Sequence, residues 1–468
     1  MSYRTQGRIS YQISSLRKQF DNTPGLSFSG QLAAEHVQRL LQEAGVDFRE
    51  RLYTPVRTLW IFLSQVFSSD HSCREAVARF IAFLLASGKA PCAAETSSYC
   101  EARQKLPEAV FARLVQETGR QPHDEAPAEW LFQGRRVKVV DGTTVSMPDT
   151  PENQQAFPQA RTQRPGVGFP IARLVVVFSL AVGTAVDMAM GQYKGKQSGE
   201  ISLFRALKDA LLPGEIILGD RVYSSFFDIV MLQRRGVDVV VRKHQLRRSD
   251  FRRGERLGKN DHRIEWPRPV QRPEWMDAAT YETMPKALQL REVKVQIHRR
   301  GTRVQELVVV TTLLDAEQFN VDDLTTLYRA RWHAELDLRS LKTTLQMDVL
   351  RCKTPEMVRK EVWTHLLAYN LVRTVMAQAA ARHELLPREI SFKGALQTMN
   401  AFRDYLLMGR EVSLFWAETM LATIAQHRVA DRPDRVEPRA LKRRTKPHDL
   451  LTIPRHEART RLLQRASA

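Results

Sequence analysis

The chain has 468 residues, enough for two to four domains with real cores, and 71 Lys and Arg against 52 Asp and Glu leave a formal charge of +19. That balance favours a polyanionic partner, nucleic acid or an anionic membrane surface. A membrane span is disfavoured: the longest apolar run, 174–186, is interrupted by Gly183-Thr184 and is too short to cross a bilayer. The N-terminus has no apolar signal core, so a cytoplasmic location is expected. Cys73, Cys92, Cys100 and Cys352 form no CxxC pair and no zinc spacing, and read as free thiols.

Residues 1–125 read as a helical N-terminal DNA-binding region. The stretches 31–44, 56–67 and 74–86 repeat apolar residues at three-and-four spacing, and Thr54-Pro55 is a helix start. The stretch 73–105 reads as two helices joined by 87–97, the second carrying Tyr99, Arg103 and Lys105. This is either a DNA-reading pair or ordinary helical packing.

From about 126 to 242 the pattern is α/β. A short strand, 137–140, ends at Asp141-Gly142, and 174–181 with 185–190 form a hairpin around Gly183-Thr184. An amphipathic helix, 200–212, is stopped by Pro213-Gly214. A strand ending on Asp220, a helix over 226–235 and a strand over 237–242 complete a β-β-β-α-β-α-β order and a mixed sheet. Residues 243–320 read as a basic, β-rich insertion. Its Arg- and Lys-dense front is expected to be a solvated loop, and strands are expected at 293–298 and 306–312. Residues 321–350 return to the core as a helix, 351–425 form a helical C-terminal region with a long helix at 362–381, and 426–468 are a basic tail, extended or disordered.

Two aspartates, Asp141 and Asp220, each follow an apolar strand, where ligands bind in open α/β sheets. Either alone reads as a turn residue. At about 100° per residue, Tyr328, Arg331, Glu335 and Lys342 fall within about 60° of one another, beside the apolar stripe Leu327, Ala334, Leu338, Leu341 and Leu345. A solvated face would put those charges opposite the apolar stripe. The bland alternative is an Arg331–Glu335 ion pair worth tenths of a kcal/mol. Three carboxylates beside cations suit two Mg²⁺ ions engaged in phosphoryl transfer. No P-loop spacing is present, so no ATP use is expected.

The spacing Tyr-x2-Arg-x3-Glu-x6-Lys, with Asp141-Gly-Thr-Thr144 and Gly219-Asp220-Arg221, resembles the IS-four family of DDE transposases, the family of the Tn-five enzyme, over about residues 135–345. The resemblance implies an RNase H-like core flanked by helical regions. Asp141, Asp220 and Glu335 would be catalytic metal ligands for two Mg²⁺ ions, with Mn²⁺ able to substitute. Tyr328, Arg331, Trp332, Lys342 and Arg221 would contact DNA, Trp332 by forcing out a flipped base. A second tryptophan that stacks on that base in a close relative would fall at Leu307, leaving Trp266 or Trp275 as substitutes. The reaction implied is cut-and-paste transposition: nicking, hairpin formation and opening, and strand transfer into target DNA, by a homodimer bridging two terminal repeats. A nuclease that cuts without joining, or a non-catalytic DNA-binding regulator, are the alternative readings.

Overall fold

The computed structural model describes residues 32, 34–46, 51–195, 198–297, 305–407, 414–429 and 451–466. Five helices open the described chain: α1 (Ala34–Glu43), α2 (Pro55–Phe67), α3 (Cys73–Ala86), α4 (Ser97–Lys105) and α5 (Glu108–Asp124). Thr54 caps α2 by accepting from the Arg57 amide, with Pro55 in the first turn, and Ser72 caps α3 by accepting from the Glu75 amide. Tyr99 and Arg103 of α4 are buried, so these two residues serve helical packing and not DNA reading.

The sheet is built from β1 (Val137–Ser146), β2 (Ile171–Ser179), β3 (Ala185–Gln192), β4 (Ile216–Gly219), β5 (Asp238–Arg242), β6 (Glu255–Gly258), β7 (Asp261–Pro267), β8 (Ala287–Ile297) and β9 (Gln305–Thr311). Its order is β3-β2-β1-β4-β5-β9-β8-β7-β6. Strands β1, β2 and β3 are antiparallel neighbours, while β4 and β5 run parallel to β1, which is the RNase H-like arrangement. The entirely buried β4 and the alternating sides of β1 explain the apolar runs of the sequence. Val139, Val176, Leu218 and Val240 belong to one core layer; Val140, Val177, Ile217 and Val239 belong to the other.

Helix α6 (Pro151–Ala156) follows β1, and α7 (Glu200–Arg205) and α8 (Phe226–Arg234) cover the second layer with Phe204, Phe226, Ile229 and Val230. The amphipathic helix expected over 200–212 ends at Arg205, followed by a tight 3-10 turn at 208–210. The buried Lys138 ammonium takes the Ala210 carbonyl at 2.7 Å, and Glu215 takes the Leu212 amide at 2.7 Å. Those backbone groups serve the core side chains and not a longer helix. Beyond α9 (Ala278–Glu282), α10 (Val321–Ala330) and α11 (Trp332–Arg339), the 28-residue α12 (Pro355–Arg382) runs through the first core layer. Its Asn370 bonds both to Ala185 of β3 and to the Val115 carbonyl of α5, tying hairpin to helix. Helices α13 (Phe392–Leu407), α14 (Leu414–Gln426) and α15 (Arg455–Ala466) complete the described chain.

Of two further expectations, one holds and one needs correction. The front of the 243–320 segment is made of turns over 243–254, with Arg248, Arg252, Arg253, Arg256 and Lys259 exposed, as expected of a solvated basic loop. Behind it come β6 and β7, and a few of the segment's charges are used internally: Lys243 pairs with buried Glu292 at 2.7 Å, Arg247 lies 3.9 Å over the Trp266 ring, and Arg291 of β8 forks onto buried Asp261. The basic tail is not wholly extended or disordered, since α15 is helical and Pro454 just before it packs near Gly166. Most of the tail's cations, at 430–450, lie outside the described residues. No described helix is long and apolar enough to cross a membrane.

Candidate active site

Asp141 does not end a strand. Its backbone pairs with Val176 in the middle of the ten-residue β1, so Asp141-Gly142 is ladder and not turn. The parallel pairing with β4, however, stops at Val139–Leu218. Asp141 and Asp220 each lie two residues beyond that pair, on the strand parity of the first core layer. Both carboxylates therefore reach the carboxyl rim of the β1–β4 pair on the side covered by α11. The Asp141 carboxylate also accepts its neighbouring Gly142 amide at 2.9 Å.

The Glu335 segment is helical on both sides of a tight turn at Arg331, whose own dihedrals (φ −52°, ψ −31°) remain helical. Asn320 and Asp323 form a reciprocal capping box that starts α10, the chain turns at Arg331, and α11 carries Glu335. The residues at 340–344 then widen into a π-helical turn. Uniform 100° steps therefore do not hold from Tyr328 to Lys342. The apolar stripe survives because Leu327, Ala334, Leu338, Leu341 and Leu345 are all buried. At the turn, Arg331 donates to Glu335 at 2.7 Å and stands 3.8 Å from the Asp141 carboxylate. One guanidinium thus joins two acids carried by a strand and a helix far apart in the chain.

Two residues past Glu335, Asp337 is fully buried and fixes the helix. It accepts from Arg373 of α12 and, at 2.7 and 2.8 Å, from Arg388, which also donates to the Ser179 and Leu180 carbonyls at the end of β2. The Glu335 helix is thereby tied to both the central helix and the sheet.

Burial pushes the Asp141 carboxyl up to about 6; Arg331 opposes the shift, while the negative charges of Glu335 and Glu200 add to it. Tyr328 is buried, and burial raises its phenol to about 12, with Arg331 and Asp220 among its charged neighbours. The structure therefore brings Asp141, Asp220, Glu335, Tyr328 and Arg331 into one neighbourhood. Sequence reasoning missed two more residues. The Glu200 carboxyl lies against Gly142, within 2.6 Å of where a Cβ would stand. Tyr223 is buried, its hydroxyl has no hydrogen-bond partner, and burial with Glu200, Asp141 and Asp220 nearby drives its pKa far up. The signal for Tyr223 was its place three residues after Asp220; Glu200 carried none beyond opening a helix.

Among the described residues no three Asp, Glu, His or Cys side chains are arranged as a ready metal cage. The donor chemistry nonetheless fits a hard divalent cation. All candidate ligands are carboxylates, they repel one another across a half-buried rim, and Arg331 is the cation standing between two of them.

The other expected DNA contacts are less concentrated. Trp332 is 40% exposed at the start of α11, Lys342 lies on the π-helical turn, and Arg221 beside Asp220 donates to Gln245 at 2.6 Å. Neither Trp266 nor Trp275 is available as an open stacking platform. Trp266 is buried, donates to Glu292 at 3.1 Å and lies beneath Arg247. Trp275 lies under Arg205 at 3.7 Å. Leu307 is a buried core residue of β9.

Residues 132–371 match the family described as the transposase DDE domain. The chain is 28% identical over 382 residues to the transposase InsG for insertion sequence element IS4 of Escherichia coli K12, covering 79% of this chain and 80% of that one. It is 32% identical over 69 residues to the transposase for insertion sequence element IS421 of Escherichia coli, 15% of this chain and 19% of that one. Among solved structures, a piggyBac transposase synaptic complex with hairpin DNA aligns at TM-score 0.40 and 9% identity, covering 85% of this chain and 83% of that one.

Proposed function

This chain belongs to the transposase DDE domain family of DNA cleavage and transfer enzymes, and from that premise we propose that it performs cut-and-paste transposition with Asp141, Asp220 and Glu335 as its metal-holding carboxylates. The observation supporting this reading is the convergence at one sheet rim: Asp141 and Asp220 in matched register, and Glu335 joined to Asp141 through Arg331. Two Mg²⁺ ions, or Mn²⁺ in their place, would supply activation of the attacking oxygen and stabilisation of the leaving one.

The protein's own residues would do the rest. Arg331 presents a planar fork at the rim, suited to phosphate once its carboxylate partners have another cation. Tyr328, Lys342 and Arg221 would add hydrogen bonds and charge along the strand near the cleaved end. Trp332, on the exposed start of α11, would serve as the wedge that keeps a base unstacked. The order of steps would be nicking, hairpin formation, hairpin opening and strand transfer, in a homodimer holding two transposon ends and then target DNA. ATP has no part in it.

Incubation with DNA bearing the element's terminal repeats, with Mg²⁺ or Mn²⁺, tests the reading. Hairpin intermediates and joined products are expected. Cutting without joining would replace it with a nuclease, and binding without cutting with a regulator. Asp141→Ala, Asp220→Ala and Glu335→Ala should each lower cleavage on the order of 10³-fold or more while leaving DNA binding intact. Full cleavage by any of the three would overturn that residue's assignment.

A further inference from the structure

Away from the sheet rim, three of the four cysteines meet at the seam between the N-terminal helices and the segment that follows the Glu335 helix. The Sγ atoms of Cys73, the first residue of α3, and Cys100 of α4 are 3.8 Å apart. Arg103, one turn along α4 from Cys100, is only 6% exposed and points its guanidinium at both sulfurs, 3.3 Å from Cys73 and 3.6 Å from Cys100. Its Nε has no hydrogen-bond partner. The pair is not sealed in. A cavity of about 480 Å³ opens onto it, lined by Asp70, His71, Arg103, Arg351, Lys353 and the sulfur-bearing residues Cys73, Cys100 and Cys352. Neither Cys73 nor Cys100 is buried outright.

We propose that Cys73 and Cys100 form a peroxide-reactive pair, a modification site in which Cys100 is the attacking thiolate and Cys73 the resolving thiol that closes a disulfide between α3 and α4.

The chemistry follows from the placement. A thiolate is the reactive form, and a cation beside a thiol favours it. Arg103 provides that cation, and Arg351 and Lys353 outnumber Asp70 around the cavity, where burial keeps His71 in its neutral form. The contact with Cys73, then Arg103 and Thr96, lower the Cys100 thiol against the opposing effect of burial, while the same contact and burial push Cys73 up. Cys100 sulfur attacks one oxygen of hydrogen peroxide; the S–O bond forms, the O–O bond breaks, and hydroxide leaves as water after taking a proton. Cys73 sulfur then attacks the Cys100 sulfenic acid; the S–S bond forms, the S–O bond breaks, and a second water leaves. Two thiols lose two electrons and two protons, and one peroxide becomes two waters. Cys92, whose sulfur is 3.9 Å from the Tyr53 hydroxyl, does not line the pair's cavity, and Cys352, which does, is well buried.

The test uses the full chain, freshly reduced, exposed to hydrogen peroxide, alkylated and digested without reductant. A Cys73–Cys100 cross-linked peptide is expected as the first product. Cys73→Ser should stop at a Cys100 sulfenic acid that dimedone traps, and Cys100→Ser should leave Cys73 reduced. A second measurement does not depend on those variants: iodoacetamide labelling of Cys100 in the folded chain should change less than about twofold between pH 8 and pH 6, whereas the urea-unfolded chain should slow about tenfold per unit. First oxidation at Cys92, a bridge to Cys352 in place of Cys73, or Cys100 labelling that falls with pH as in the unfolded chain would each overturn the proposal.

Discussion

His365 illustrates how much a single side chain on the central helix can couple the fold to pH. It is fully buried on α12, gives one ring nitrogen to the Glu361 carbonyl at 2.8 Å, and leaves Nε2 without a partner. Burial lowers its pKa to about 3, and the nearby His71 ring adds to the effect. The folded pKa lies below the unfolded value of about 6.5. The unfolded chain therefore binds the extra proton between those two values, and stability present at neutral pH is lost as pH falls through that window. At pH 4.5 the contribution amounts to about 2–3 kcal/mol. Urea midpoints at pH 7 and pH 4.5 should diverge less in His365→Gln than in the parent chain; equal divergence would show that other groups carry the acid sensitivity. The same scale explains the rim. Arg331 was legible as a cation near Glu335 from its i,i+4 spacing, but its reach to Asp141 was not, since 190 residues separate the two in the chain.

At the scale of elements, two contacts hold the Glu335 helix and the hairpin in place. The first is the close approach of α5 to β3. A Cβ on Gly119 would stand 2.0 Å from the Ala185 carbonyl oxygen, and Thr184 already donates to the Gly119 carbonyl at 2.8 Å. Both neighbours are backbone and cannot swing away. Gly119→Ala should cost about 1–3 kcal/mol or more, read as a fall in the urea midpoint without change in m-value. A neutral substitution would mean the helix can slide on the strand. The second is Asp337. Its removal leaves Arg373 and Arg388 buried without their carboxylate, so Asp337→Ala should cost about 3–5 kcal/mol. Any folded fraction should cleave DNA more slowly than its population explains, because Glu335 sits two residues away on the same helix. Activity in strict proportion to folded protein would show that Asp337 anchors the fold and does not position Glu335. Asp337 looked in sequence like one more charge on a polar helix; its partners come from 36 and 51 residues downstream, beyond what periodicity can register.

For the whole molecule, the proposed function makes the formal charge of +19 the property to test against DNA. With about 6–10 phosphate contacts, affinity for duplex DNA should fall about 10³–10⁵-fold between 50 and 200 mM salt, linearly on a log–log plot. A slope near zero in a binding titration would remove the electrostatic footing of the DNA reading. The charge is not all available for that purpose. Lys138, Lys243, Arg291 and Arg373 are spent in buried pairs, whereas Arg252 and Arg253 at the front of the 243–320 segment stand largely exposed. What the sequence determined by itself was local or strictly periodic: the helix start at Thr54-Pro55, the hairpin at Gly183, the apolar run of β4, and the Tyr-Arg-Glu-Lys spacing with its two aspartate motifs. Neighbouring residues and a constant repeat carry such features. Tertiary structure alone decided the continuation of β1 through Asp141, the tight turn at Arg331, the π-helical turn under Lys342, the burial of Trp266, and the approach of Glu200 and Tyr223 to the carboxylates. Each depends on partners distant in the chain, whose packing and charge outweigh the few tenths of a kcal/mol by which local propensity prefers one backbone conformation over another.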